Sequence, residues 1–375
     1  MYMNERYSRQ IRLTDFGIEA QRKLFSASVL VIGAGGLGCP ALQYLAAAGV
    51  GRIGIADPDV VELSNLHRQI LYGTESLGLY KADAAAARLH DLNPDVAVEP
   101  YIYPVDQHNA LSLFERYDYI LDGTDNFESK YMISDAAAML GKPLVFGAAD
   151  QYDGQLAVFN VTGPDATAAN YRDLFPEPPG KDQIGNCADN GVLGVLPGII
   201  GTMQAAEVIK LITGVGTALV NQLLIYDIRN QQMSKLAIVP STISYRLPAS
   251  ANEFIAMNYS LNCGLSDDDI EEINAQRMEQ LYLGGGTLLV DVREERETPR
   301  LDAAKFVLAP LRDFDSFLNS HYKEERIVLV CQHGIRSLHA AQQLQEKWGN
   351  DKKIYSLKGG IAKYPQYFVA KTKLS

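Results

Sequence analysis

The sequence predicts an α/β chain of two units, a larger doubly wound parallel sheet followed by a smaller one. Three observations carry that reading. An apolar strand at 28–32 runs through a glycine-rich turn at 33–38 into an alanine-rich helix at 40–48 and a second strand at 52–57. Strand, turn, helix and strand make a βαβ unit, which requires a parallel sheet and a right-handed crossover. The same alternation recurs to about residue 240 and resumes after a stretch at 239–269 rich in Pro, Ser, Asn and Asp. At 375 residues the chain also exceeds what one hydrophobic core usually serves.

Taken in order, residues 1–26 read as one or two polar helices leading into the first strand. Gly49 and Gly51 end the helix at 40–48. A helix at 81–92 is stopped by Asn93-Pro94, because the residue before a proline is driven out of the helical region, and a strand comes next at 97–101. A strand at 119–122, a helix at 129–140 and a strand at 143–148 repeat the pattern. The loops at 162–191, rich in Pro, Gly and Asp, are longer than mere connection needs, which marks them as functional. A helix at 198–213 and two antiparallel strands at 223–227 and 235–238 complete the first unit. In the second, a helix at 267–281 precedes a buried strand at 287–292, and a strand at 326–330 runs into Cys331. A helix at 337–348 and a strand at 353–357 close it. The expected organisation is a domain at 1–240, a linker at 241–265 and a small α/β domain at 266–375.

Lys and Arg number 34 against 45 Asp and Glu, a formal charge of −11, which argues against nucleic-acid or membrane-surface binding. The nearest long apolar run, 192–203, is interrupted by Gly and Pro, so no membrane span is expected. The opening MYMNERYSRQIR has neither a signal-peptide nor a presequence pattern, and the four cysteines form no CxxC pair. A cytoplasmic, reducing location is the expectation.

Gly33-Ala34-Gly35-Gly36-Leu37-Gly38 satisfies G-x-G-x-x-G between a strand and a helix. Such glycines permit a tight turn and let phosphate oxygens approach N–H groups at the positive end of the helix. Asp57 stands at the end of the second strand, where a carboxylate can bind a ribose hydroxyl. The pattern alone does not name the nucleotide, and an NAD enzyme would show the same. Three downstream groups of residues narrow the choice: Ser64-Asn65-Leu66-His67-Arg68-Gln69, then Lys81, then Asp122-Gly123-Thr124-Asp125-Asn126 at a strand's C-terminal end. Two cations and a carboxylate at that edge suit a triphosphate with Mg²⁺ better than a dinucleotide, with Asp125 holding the metal.

RYSRQ (6–10), VIGAGGLGCP, ADPDVVELSNLHRQILY, GLYKADAA, YILDGTDNF and CADNGVLGVLPGIIGTMQAAEVIK together resemble the E1-like adenylyltransferases of the MoeB/ThiF type over roughly residues 5–240. The resemblance implies a Rossmann-like adenylation domain that joins the C-terminal Gly-Gly carboxylate of a ubiquitin-like sulfur carrier to AMP, releasing pyrophosphate. By motif it places Gly36 and Asp57 on ATP and Asn65, Arg68 and Lys81 on its phosphates, with Ser64, Leu66 and His67 in the same nucleotide-binding run. It puts Asp125 on Mg²⁺ with Asn126 beside it. It makes Arg9 an arginine that reaches the neighbouring protomer's site, which implies a homodimer, and Cys187 the thiol that attacks the activated carrier or resolves an acyl disulfide. Many such proteins hold zinc by two CxxC pairs; the matching positions read Asn170-Tyr171-Arg172-Asp173 and Ser260-Leu261-Asn262-Cys263. One thiolate of four does not build a tetrahedral sulfur site, so no zinc is expected.

Cys331 follows an apolar strand and leads a short loop into a helix start, where N–H groups and the helix end favour an anionic sulfur. Cys331-Gln332-His333-Gly334-Ile335-Arg336-Ser337 resembles a rhodanese active loop, in which such a cysteine carries a persulfide, and DVREERE (291–297) and LKGGIAKY (357–364) resemble its flanking motifs. The usual GHIPGA stretch is poorly kept at PRLDAA (299–304). A phosphatase loop of the H-C-x5-R type is disfavoured, because Val330 precedes the cysteine and only four residues separate it from Arg336. Cys39, inside the first helix, reads as packing. The expected protein is an adenylyltransferase fused to a sulfurtransferase, supplied by a persulfide donor and serving thiamine or molybdopterin sulfur incorporation. An NAD-dependent oxidoreductase and a non-catalytic carrier-docking protein are the competing expectations.

Overall fold

Ser28–Ile32 is buried at every position and forms β1, in the interior of an eight-stranded sheet in the computed structural model. The structure describes residues 5–163, 166–176, 191–240, 247–259, 270–348, 351–364 and 368, and the chain separates into the units Met1–Leu261 and Asn262–Ser375.

In the first unit, α1 (Ser8–Ile11) and α2 (Gly17–Ser26) precede β1, and α3 (Gly38–Ala48) leads to β2 (Arg52–Ala56). Then come α4 (Lys81–Leu92), β3 (Ala97–Tyr101), α5 (Ala110–Phe114), β4 (Tyr119–Asp122), α6 (Phe127–Met139), β5 (Leu144–Asp150) and β6 (Asp153–Phe159). The short α7 (Tyr171–Leu174), the long α8 (Val195–Thr213), β7 (Gln222–Asp227), β8 (Gln232–Ala237) and α9 (Ala251–Ala256) complete it. The strand order is β3-β2-β1-β4-β5-β6-β7-β8, parallel from β3 to β5 and antiparallel beyond. The chain turns one way from β1 to β2 and the other way to β4. Ligands of such sheets sit outside the strand ends at that reversal.

The strand period of two divides β1 between two cores. Val29 and Val31 pack with Leu42 of α3 and with Ile200 and Val208 of α8, whereas Leu30 and Ile32 pack with Ile133 of α6 and with Phe114 of α5. Helix α8 is long and apolar enough to cross a membrane by composition, but half of it is buried against the sheet and α3 as a core helix. It begins at Val195, three residues before the expected 198, because Pro197 fits a first helical turn, whose N–H groups have no intrahelical partner.

Other differences have local causes. Strand β6 had no sequence signal because Gln151-Tyr152, which joins it to β5, lacks the Asn-Gly signature of a tight hairpin, although Gln151 takes φ +47°. Helix α6 starts at Phe127 because the side chain of Asn126 accepts the N–H of Ser129 at 2.8 Å and caps it. The stretch expected as a linker at 241–265 is, in its described part 247–259, folded into the first unit: Ser250 caps α9, and Phe254 and Tyr259 enter the core beneath α6.

In the second unit, β9 (Glu271–Ile273) and α10 (Ala275–Leu283) replace the single helix expected at 267–281. Asn274 stays extended and caps α10 by accepting the N–H of Arg277, so the helix cannot start earlier. After β10 (Thr287–Asp291) come β11 (Phe306–Leu308), α11 (Phe314–Leu318), β12 (Arg326–Val330), α12 (Ile335–Trp348) and β13 (Lys353–Leu357). The five strands are parallel in the order β11-β10-β12-β13-β9, so β12 is central and its C-terminal end delivers Cys331.

A buried ion pair occupies the first of the two tetrads, 170–173, that the sequence comparison set against a CxxC pair. Arg172 meets Asp135 of α6 by Nε and Nη2, both at 2.8 Å, and Tyr259 donates its hydroxyl to the same carboxylate at 2.8 Å. The guanidinium also lies 4.9 Å over the ring of Tyr131. Asn170 caps the turn by accepting the N–H of Arg172. The second tetrad, 260–263, lies outside the described residues.

Breaking a buried pair leaves an uncompensated charge, so Asp135→Asn is expected to cost about 3 kcal/mol in urea unfolding. A chelator should leave the unfolding midpoint of the unaltered chain where it was, and metal analysis should find less than one zinc per chain.

Candidate nucleotide and sulfur sites

The first site is a cavity of about 780 Å³ at the C-terminal ends of β1 and β4. Gly33, at φ +88°, sits where a Cβ would lie 2.8 Å from the carbonyl oxygen of Gly123, and a Cβ on Gly38 would lie 1.9 Å from the oxygen of Gly33. These two glycines therefore serve backbone contact between β1, β4 and the start of α3. Gly33 lines the cavity together with Gly35 and Gly36, and a Cβ on Gly36 would touch Pro197 at 3.1 Å; Gly38 does not line it.

Asp57 holds the glycine turn in shape: its Oδ2 accepts the N–H of Ala34 at 2.7 Å and its Oδ1 the N–H of Asp59 at 2.9 Å. Burial pushes its carboxyl above the usual range, against the pull of Lys81 and those two N–H groups. Asp59, inside the quoted ADPDVV segment but given no role from the sequence, also lines the cavity and pairs with Lys81 Nζ at 2.8 Å. The run 64–69 divides in two. Asn65 accepts the N–H of Glu62 at 3.0 Å, Ser64 is exposed and Leu66 packs on the core; none of the three lines the cavity. They build the turn that presents His67, Arg68 and Gln69, which do line it. Arg68 Nη1 donates to the Ser64 carbonyl at 3.1 Å and to His67 Nε2 at 2.8 Å.

Asp125 and Asn126 stand on the same wall, at the start of α6. Beside them is Lys130, missed in the sequence because a lone lysine in a helix reads as solvent-facing. It is buried, donates to Asp122 Oδ2 at 3.0 Å and to the Gly147 carbonyl at 2.8 Å, lies 4.8 Å over the Phe146 ring, and faces the cavity. Gln69, only 3% exposed, turns into the wall an oxygen with no hydrogen-bond partner among the described residues, and Asp150 does likewise with Oδ1. Cations, carboxylates and unfilled acceptors around a glycine turn fit a nucleotide triphosphate. Among the described residues no three of His, Cys, Asp and Glu gather as a metal-holding group. Arg9 is exposed on α1 and does not line the cavity. Cys187 lies outside the described residues.

The second site is the loop after β12. Cys331 is 1% exposed; the Gly334 N–H donates to its Sγ at 3.1 Å, and Ser337 Oγ stands 3.5 Å away. Gly334 takes φ +93°, and a Cβ there would lie 2.8 Å from the Gly359 nitrogen, so the 357–364 motif presses directly on the cysteine loop. The 291–297 motif supports it from below. Arg293, buried, donates to both oxygens of Asp291 at 2.9 Å, to Gln332 Oε1 at 3.2 Å and to the Pro299 carbonyl at 2.9 Å. Arg336 pairs with Glu297 by both guanidinium branches. Cys39 differs: fully buried, with its thiol pKa pushed up to about 12 by burial, it packs in the core and donates to the Ala34 carbonyl at 3.3 Å.

Residues 7–243 match the ThiF family model, and residues 274–366 match the rhodanese-like domain. The chain is similar to the probable adenylyltransferase/sulfurtransferase MoeZ of Mycobacterium tuberculosis, 38% identical over 95% of this chain and 91% of that one. It is 39% identical to the adenylyltransferase and sulfurtransferase MOCS3 of Drosophila sechellia, over 92% of this chain and 79% of that one. It is 46% identical to the sulfur carrier protein adenylyltransferase of Thermus thermophilus, over 70% of this chain and 97% of that one. Among solved structures, E. coli MccB with ATP shares the fold, with a TM-score of 0.54 and 20% identity over 64% of this chain and 74% of that one.

The glycines separate by experiment. Gly38→Ala forces a methyl onto backbone and is expected to destabilise by about 3 kcal/mol in chemical unfolding. Gly35→Ala, whose nearest neighbour is Gln69 Nε2 at 3.6 Å, should change stability by less than about 1 kcal/mol yet weaken nucleotide binding by calorimetry.

Proposed function

The chain belongs to the ThiF family and carries a rhodanese-like domain, and on that premise we propose that it adenylates the C-terminal glycine of a ubiquitin-like sulfur-carrier protein and converts it to a thiocarboxylate. The observation that carries this reading is the cavity in which Arg68, Lys81, Lys130 and Asp125 surround the glycine turn, in a chain that also cradles Cys331 by an N–H donor.

A carboxylate is a poor acyl donor because its leaving group would be oxide. A carboxylate oxygen of the carrier attacks the α-phosphorus of ATP; the new P–O bond forms as the α–β bridging bond breaks, and pyrophosphate leaves with the electron pair. Both partners are anions, so the protein's work is alignment and offsetting of repulsion rather than proton transfer. Arg68 and Lys81 serve the outer phosphates, Asn65 shapes the turn that presents Arg68, and Lys130 adds a fixed positive charge to the wall. Asp125 would hold Mg²⁺, which neutralises phosphate charge when bound.

In the second half, the outer sulfur of a Cys331 persulfide attacks the acyl carbon and AMP departs, leaving an acyl disulfide. The Cys187 thiolate then attacks the Cys331 sulfur; the carrier leaves as a thiocarboxylate, and the new Cys187–Cys331 disulfide is reduced by two equivalents of thiol, which leave as a disulfide, before the next turnover. The working form is a homodimer in which Arg9 completes the neighbour's site, acting in the cytoplasm without structural zinc. The −11 charge disfavours nucleic acid and membrane surfaces as partners.

Mass spectrometry of candidate carriers incubated with the enzyme, Mg-ATP and a sulfane sulfur source should show oxygen replaced by sulfur, and the carrier that responds decides between thiamine and molybdopterin pathways. Arg68→Ala and Asp125→Ala should each abolish carrier-dependent ATP–pyrophosphate exchange with the fold intact; Cys331→Ser should keep the exchange and lose the thiocarboxylate. Unchanged exchange in the first two would remove the site assignment. Mixing inactive Arg9→Ala and Arg68→Ala chains should restore exchange, since a heterodimer holds one complete site; no recovery would place Arg9 outside the reaction.

A further inference from the structure

The second unit has a cavity on the face of its sheet away from Cys331. Side chains along a strand alternate between faces, and β10 separates two clusters in this way. Val290 packs in the cluster that holds Cys331, whereas Leu289 packs with Met278, Phe306 and Phe368 on the other side. These last four line a cavity of about 400 Å³, a volume within the range of small-molecule sites. Its two walls differ in charge. Helix α10 contributes Glu279 and the ring of Tyr282, and the segment 300–305 contributes Arg300 and Lys305. Among the described residues Glu279, Arg300 and Lys305 make no side-chain ion pair or hydrogen bond, with one another or with any other group. The sulfur side of the same unit is different, since Arg293 and Arg336 are each matched there to a carboxylate. Asp302 also lines the cavity, but its Oδ1 accepts the Ala304 N–H at 2.9 Å and closes the local turn. The segment falls where the sequence departs from the GHIPGA pattern, and its start is fixed by Arg293, whose Nη2 donates to the Pro299 carbonyl at 2.9 Å.

We propose that this cavity binds a free α-amino acid with an apolar side chain. The side chain covers Leu289, Phe306 and Phe368, the ammonium group meets Glu279, and the carboxylate meets Arg300 and Lys305. A zwitterion is attracted by both walls. A plain carboxylate is attracted by one and repelled by the other, and so is a plain amine. A small zwitterion such as alanine has too little apolar surface to cover the floor. No bond is made or broken at this site, and the inference stands apart from the reading of either reaction site.

The test titrates the full chain with phenylalanine by saturation-transfer NMR, beside phenylpropionate, phenethylamine and alanine. Phenylalanine should bind with a Kd of about 1 mM or tighter. The other three lack in turn the ammonium group, the carboxylate and the apolar body, and each should bind at least about fivefold more weakly. Methionine and leucine carry the same head group, and the tightest of the three amino acids tells an aromatic ligand from a thioether or a branched one. Glu279→Gln should weaken phenylalanine about fivefold without weakening phenylpropionate, as an ion pair at an exposed position allows. Arg300→Gln combined with Lys305→Gln should weaken phenylalanine by about as much without weakening phenethylamine. Cys331→Ser, and the unaltered chain saturated with ATP, should bind phenylalanine as before. The inference falls if phenylalanine does not bind at about 10 mM, if the three analogues bind as well as it does, or if the charge variants leave its affinity alone. Loss of binding in Cys331→Ser or with ATP overturns it too, because the ligand would then sit at a reaction site.

Discussion

The first unit depends on a place where three backbones meet without side chains. Gly33 ends β1, Gly123 ends β4 and Gly38 opens α3, and ideal Cβ atoms at these positions would fall 1.9 to 2.8 Å from a neighbouring carbonyl oxygen. That contact brings the ends of two adjacent parallel strands and a helix start to one point on the sheet edge. Everything that gives the cavity its chemistry is hung from it. Asp57 ties down the turn through two N–H groups, α6 brings Lys130 back over the edge, and α8 closes the side through Pro197.

A second constraint runs through both units: three buried cations are each matched to a carboxylate. Lys130 with Asp122, Arg172 with Asp135 and Arg293 with Asp291 are all buried, and each cation has a further hydrogen-bond acceptor or a ring face. Such pairs add little stability compared with apolar packing, but removing either member is costly, which fixes geometry. Arg172 joins α7, α6 and the chain after α9 in one knot, and Arg293 ties the 291–297 motif to the cysteine loop.

Much of this was legible in the sequence, for reasons that explain what was not. A continuous apolar strand, a glycine-spaced turn and an alanine-rich helix have few other solutions, so β1 to β2 and the cavity's position could be inferred directly. The strand–cysteine–glycine–helix order marked the second site in the same way. Strand β9 was lost because Glu271 and Glu272, exposed on an edge strand, look like the acidic first turn of a helix. Helix α9 was lost because six residues anchored by Phe254 leave too little periodicity to see. The run 64–69 read as one cluster of ligands. Its first three residues in fact fold the turn and its last three face the cavity, and only tertiary contacts make that division. Lys130 shows the same limit, since the burial of a lysine is a property of the elements packed around it.

The pairing of Lys81 with Asp59 has a consequence for how the cavity discriminates among solutes. The resting cavity carries its own tethered counter-ion, so any anion that reaches the ammonium competes with a carboxylate of the same chain. A small univalent ion gains one contact and loses to an intramolecular competitor at high effective concentration. A chain of several linked charges gains contacts with Arg68 and the glycine turn at the same moment, and the exchange runs in its favour. Linked charges are thereby favoured over single ones.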